Sequence, residues 1–261
     1  MQVGSARIVF AFIAFLPLFI YHYKSFDWSK LKPLIVVGLC GSGLPAVLYA
    51  TGQSQLPSAV AGVLNSLTPI CTLVISMLFF TKRFDINQLI GVVIGLGGVC
   101  IIFFIKEDNN AAFPFLYAGL ILLATICYGI SANTVGHFLS EMRPILISTI
   151  SFVLIGPLAL IYLLSTDFIE IIIDTEGILL SLGALMTLSI ICTFLANILF
   201  FKLVQITEPV FSSTVSYLIP FVALAWGFLD GEYISIYHIL ALGLILGGIV
   251  VVKSAKSKNN A

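Results

Sequence analysis

The sequence predicts an all-α integral membrane protein, an inverted-topology repeat bundle in which nine spans are present of an expected ten. Three observations carry this: an apolar composition with few charges, apolar runs of bilayer length, and a repeat whose matching loops carry opposite charge. Of the 261 residues, 60 % are hydrophobic and 9 % charged, against roughly 45–50 % and about 25 % in a soluble domain. So few charges could not cover the surface of a soluble globule of this size. Runs near twenty residues match about 30 Å of hydrocarbon, and in lipid each must be a helix because every backbone polar group has to bond internally.

The spans are expected at roughly 5–22, 33–51, 58–80, 86–105, 115–136, 144–164, 177–200, 209–229 and 235–252. The first run reaches about Ile20 with no small-residue cleavage site, so a cleavable signal is not expected. Connections are short, the longest being near 106–114 and 165–176, and no room is left for a soluble domain. The segment 253–261 reads as a polar cytoplasmic tail. Net charge is zero, and no basic stripe points to nucleic acid. Ten of the twelve basic residues fall on one side: Lys24, Lys30, Lys32, Lys82, Arg83, Arg143, Lys202, Lys253, Lys256 and Lys258. The other side holds Arg7, Lys106 and most of the acids. The positive-inside rule then places the C-terminus of this multi-pass chain in the cytoplasm and Met1 outside.

The repeat is read from three matches. Leu67-Thr68-Pro69 lies over Leu218-Ile219-Pro220, Ile94–Val99 over Leu244–Ile249, and Phe12 and Pro17 over Phe152 and Pro157. Spans one to four therefore match spans six to nine. The basic loop at Lys82-Arg83 pairs with an acidic one at Asp230–Glu232, so matching loops face opposite sides, a design common in secondary transporters. The halves are 1–105, with four helices, and 115–252, with five. The unmatched fifth span implies a partner helix before Met1, either lost or encoded upstream of a late start codon.

The chain resembles EamA-type members of the drug/metabolite transporter superfamily. The resemblance rests on Ser5-Ala6-Arg7, Leu56-Pro57-Ser58-Ala59-Val60-Ala61, Asn65-Ser66-Leu67-Thr68-Pro69, Leu218-Ile219-Pro220, Asp230-Gly231-Glu232 and the glycines from Gly243 to Gly248. It covers nearly the whole chain. The family's Gly-Glu at the end of the fourth helix of each half has its glutamate at Glu232, but Thr81-Lys82 stands in the first half. The resemblance implies ten helices in two inverted five-helix repeats, and export of a small metabolite or amino-acid-like solute from the cytoplasm across the cell inner membrane. Arg7 matches a family arginine; snorkelling to the interface is the alternative role.

The candidate site follows from two prolines, Pro69 and Pro220, near mid-helix in both halves. Each is expected to bend its helix and free the carbonyl four residues back, on Asn65 and Ser216. With Ser66, Ser213 and Tyr217 these would line a polar cavity near the midplane; the alternative is that neighbouring hydroxyls satisfy the carbonyls. Tyr49 and Asn197 lie on the preceding helices, which the resemblance also places around the cavity. Gln53, Tyr128, Asn133 and Phe200 complete the expected lining, with interface anchoring as their alternative role. Glu208 before Pro209 reads as a helix cap and Trp226 as an interface residue.

No cofactor or metal is expected. The five cysteines all sit in apolar runs without a CxxC pair, as small hydrophobes do. Gly91-x-x-x-Gly95 and Gly243-x-x-x-Gly247 permit close helix packing, within one chain or in a homodimer. A membrane-embedded enzyme is disfavoured: HExxH is absent, Gly129-Ile130-Ser131-Ala132 is only part of a nucleophile elbow, and the histidines lie at span ends. A passive pore is the remaining alternative to a permease working by alternating access. The expected partners are a small-molecule substrate and the lipid bilayer.

Overall fold

In the computed structural model the described residues are 2–80, 90–91, 93–95, 97–98, 101, 114–174, 177–207, 209–231 and 235–259. The side chains of a few of these, Tyr217 and Pro220 among them, lie outside the description. Every regular element among the described residues is helical. α1 spans Gln2–His22. α2 (Leu31–Gly38), a π-helical segment (Leu39–Gly43) and α3 (Leu44–Gln53) run on as one rod. α4 is Ser58–Asn65 and α5 Thr68–Phe79. α6 covers Phe115–Phe138, α7 Pro144–Leu164 and α8 Phe168–Asp174. α9 (Ile178–Ser189) passes through a second π-helical segment (Ile190–Leu195) into α10 (Ala196–Ile206). α11 (Pro209–Ser213) leads through a 3-10 turn (Thr214–Tyr217) to α12 (Leu218–Leu229), and α13 is Ile236–Asn259.

Among the described residues, six helical stretches are long and apolar enough to cross a membrane: Gln2–His22, Trp28–Gln53, Val60–Phe79, Phe115–Phe138, Pro144–Leu164 and Ile178–Ile206. The other three expected spans stand as follows. Most of 86–105 lies outside the described residues. The stretch 209–229 is helical but divided into three short pieces, none of bilayer length. The last expected span, 235–252, falls on α13, a single helix whose sequence is apolar from Ile236 to Val252.

The chain forms two compact units, residues 1–50 with 130–212, and residues 51–129 with 213–261. Each draws helices from both sequence halves. In the first unit α1 and α7 pack antiparallel, with Phe15 stacked on Phe152 at 5.0 Å and leaning on Phe194 at 4.3 Å. Gly156 makes room for the Phe12 ring, which a Cβ there would strike. A second cluster joins Leu34, Val37, Leu146, Ile147 and Ile150 to Phe201 and Val204. Gln205 holds the end of α6, its Nε2 donating to the carbonyls of Leu139 at 2.7 Å and Met142 at 2.6 Å.

In the second unit α12 packs along α4, and α13 also meets α4. Gly91, Gly95 and Gly98 lie against α13. A Cβ on Gly248 would meet the backbone of Gly91 and Gly95, and one on Gly98 would stand 2.7 Å from the Ala241 carbonyl. The first glycine pair therefore serves packing within the chain, whereas Gly243 and Gly247 face open space.

Candidate functional site

In the second unit, Val60–Phe79 is the most enclosed of the six spans, with 72 % of its most apolar window buried against 11 % for Ile178–Ile206. A helix apolar on every face belongs in an interior. Proline has no N–H to offer, so at Pro69 the chain breaks rather than bends. α4 ends at Asn65, Ser66 and Leu67 form a turn, and Pro69 sits in the first turn of α5, where the missing donor costs nothing. Hydroxyls and short backbone bonds satisfy the freed groups. Thr68 Oγ1 donates to the Asn65 carbonyl at 2.7 Å, Ser66 Oγ to Val63 O at 2.6 Å, and the Leu67 amide to Leu64 O at 3.2 Å. The expectation of a free Asn65 carbonyl is thus corrected: Thr68, one residue before the proline, occupies it.

What remains is the side chain. Asn65 is 5 % exposed, and its Oδ1 has no hydrogen-bond partner among the described residues. An unsatisfied buried amide oxygen costs about 1–3 kcal/mol, so an arrangement that keeps one invites a donor.

The second half carries a break of its own, the 3-10 turn Thr214–Tyr217 between α11 and α12. This turn packs against α5, and α12 against α4, so the unit brings both breaks together. Ser213 is buried and Ser216 half-buried. The Ser216 backbone lies within the 3-10 turn, whereas the Tyr217 and Pro220 side chains lie outside the description. Tyr128, half-buried on α6, follows Thr125 by three residues; Thr125 Oγ1 stands 3.5 Å from Cys71 Sγ. Gly129 lets α6 approach α5, since a Cβ there would lie 3.0 Å from the Thr72 amide. Gln53 is exposed at the end of α3.

The other expected residues belong to the first unit. Asn133 is buried on α6, Tyr49 half-buried on α3, and Phe200 packs on the cluster containing Phe201. Asn197 takes part in a network that sequence reasoning missed. Its Nδ2 donates to the Thr193 carbonyl at 2.7 Å, and its Oδ1 accepts from Ser42 Oγ at 3.4 Å. Arg7 Nη2 donates to Thr193 Oγ1 at 3.2 Å. Ser42 and Thr193 lie in the two π-helical segments, whose first residues, 39 and 190, are 151 apart. Such segments are rare and frequent at functional sites. The available signal was Gly41-Ser42-Gly43 within an apolar run, a polar residue between two glycines at membrane depth. Glu208 lies outside the described residues, and Trp226 is exposed.

A pocket of about 620 Å³ opens at the end of the first unit where α1, α6 and α7 meet their loops, lined by His22, Asp27, Lys30, His137, Glu141 and Arg143 among others. Asp27 caps the turn at Trp28–Lys30. The Ser29 hydroxyl at 2.6 Å, then its amide at 3.0 Å and the nearby Lys30, lower the carboxyl below its ordinary range.

Bilayer-length apolar helices, interrupted where buried polar side chains gather, define a multi-pass membrane protein, since irregular backbone at that depth persists where it is enclosed by protein or lines a cavity. The EamA-like transporter family profile matches residues 1–104 and 115–254, and the chain belongs to that family; it is a membrane transporter. It is 26 % identical over 231 residues to an uncharacterised transporter of Archaeoglobus fulgidus, covering 88 % of this chain and 80 % of that protein. A shorter match, 26 % identical over 111 residues, joins it to the uncharacterised transporter YetK of Bacillus subtilis, covering 41 % of this chain and 33 % of that one. A solved crystal structure shares the fold with a TM-score of 0.65 at 14 % identity, over all of this chain and 89 % of the other.

Proposed function

We propose that the protein moves a small metabolite or amino-acid-like solute out of the cytoplasm by alternating access, as an inverted repeat of nine spans in a ten-span design. The halves 1–105 and 115–252 would rock about the Asn65/Ser216 region, with the C-terminus in the cytoplasm and the protein in the inner membrane. The observation that carries this is the pair of helix breaks, one in each half, beside the buried and unpartnered Asn65 Oδ1. Discontinuous helices in corresponding positions mark the substrate site in secondary transporters. The π-helical segments 151 residues apart and the two segments of the family match support the repeat. The reading as a membrane hydrolase finds no support at Ser131, whose hydroxyl lacks a base among the described residues.

The test is release from proteoliposomes loaded with a mixture of amino acids and common metabolites, read by mass spectrometry. Selective, saturable release is expected. Asn65→Leu should abolish it while leaving expression intact, because leucine keeps the volume and removes both amide groups. Full flux by a well-expressed Asn65→Leu protein would remove Asn65 from the site, and unsaturable, unselective flux would favour a pore.

A further inference from the structure

Arg7 stands where a charge is hard to keep. A guanidinium within a spanning helix is costly and almost always paired. The spanning helices of the first unit, α1 to α3, α6, α7 and α9 to α10, contain no Asp or Glu at all. Of the acids in the connection after α7, Asp167 and Glu170 are exposed, and the side chains of Asp174 and Glu176 lie outside the described residues. Among the described residues Arg7 meets one hydroxyl, that of Thr193, and its buried Nε has no partner.

The guanidinium is nevertheless held in place. Thr193 Oγ1 accepts from Nη2 and turns its own proton to the Leu188 carbonyl at 3.3 Å. Asn197 ties the Thr193 carbonyl to Ser42 in the other π-helical segment. A long side chain merely reaching for water would need no such support, and its Nε would not be buried. The Nε–H and the Nη–H groups form a planar fork that matches the two oxygens of a carboxylate or phosphate.

We infer that Arg7, oriented by Thr193 and Asn197, is a receptor for the oxyanion of a soluble organic acid, so that the solutes handled by this protein carry a carboxylate or phosphate. The flux consequence rests on the transporter reading above; the binding consequence does not.

The test uses the full chain, purified in a phosphate-free maltoside detergent, with thermal melting followed in benzoate, succinate and phenyl phosphate beside the neutral isosteres benzamide and benzyl alcohol. Stabilisation by at least one anion and by neither isostere is expected, and which anion acts separates carboxylate from phosphate. Arg7→Gln should weaken the anion about 10- to 100-fold, the loss of a hydrogen bond to a charged group. Arg7→Lys keeps the charge but loses the fork and should fall between. Thr193→Val should weaken the anion without abolishing it. If Arg7→Gln does not fold, the other two variants decide. Anion affinity unchanged in both, equal stabilisation by the neutral isosteres, or stabilisation by short-chain phosphatidate alone would each overturn the inference. Anion binding without release from proteoliposomes would leave Arg7 in its role and refute transport. Release that ignores solute charge and Arg7→Gln would do the reverse.

Discussion

Gly247 and Gly248 are neighbours on α13 with opposite surroundings, so alanine at each separates helix propensity from packing. Each substitution gains about 1 kcal/mol of helix propensity. At Gly247 nothing among the described residues lies within 4 Å of the new Cβ, and that gain should be kept. At Gly248 the Cβ would overlap the Gly91 carbonyl oxygen and stand 2.8 Å from the Gly95 amide nitrogen. Both are backbone atoms that cannot rotate aside, so the helices must separate. Overpacking of this kind costs about 1–3 kcal/mol. Taking about 2–4 °C per kcal/mol for a chain of this length, Gly248→Ala should melt about 2–12 °C below Gly247→Ala. The assay is thermal unfolding of the purified protein in detergent, both variants run side by side. Equal melting temperatures would mean that α13 does not cross the 90–98 stretch at these glycines, and the packing of the second unit would have to be redrawn.

Other predictions follow from single contacts. Gln205→Leu removes two donors from the end of α6 and should lower stability by about 1–3 kcal/mol, at about 0.5–1.5 kcal/mol per bond, read by the same melts; no change would mean that the Leu139 and Met142 carbonyls find other donors. Asp27 has a folded pKa held below its ordinary value of 3.8, chiefly by the Ser29 hydroxyl, so its contribution is complete above that value and is lost as pH falls through the folded pKa. Melting of native protein against Asp27→Asn across pH should therefore show an advantage at neutral pH that closes only in strong acid. An advantage that closes near pH 6 would point to another group. The flux of Asn65→Leu and the anion response of Arg7→Gln complete the set.

The helical, membrane-spanning character could be read from the sequence because lipid leaves the backbone no alternative, and a run such as Pro144–Leu164 announces its own ends. The site was legible in part. Pro69 and Asn65 marked the first break because proline acts locally, whatever surrounds it. That the chain breaks there rather than bends, and that Thr68 takes the freed carbonyl while the Asn65 Oδ1 stays unpaired among the described residues, depends on side-chain rotamers that a sequence does not display. The grouping of helices from both halves into each compact unit, the fit of Gly248 against Gly91, and the line from Arg7 through Thr193 and Asn197 to Ser42 were decided by tertiary structure alone. The physical reason is distance along the chain. Arg7 and Thr193 are 186 residues apart, and no local propensity carries the information that they meet.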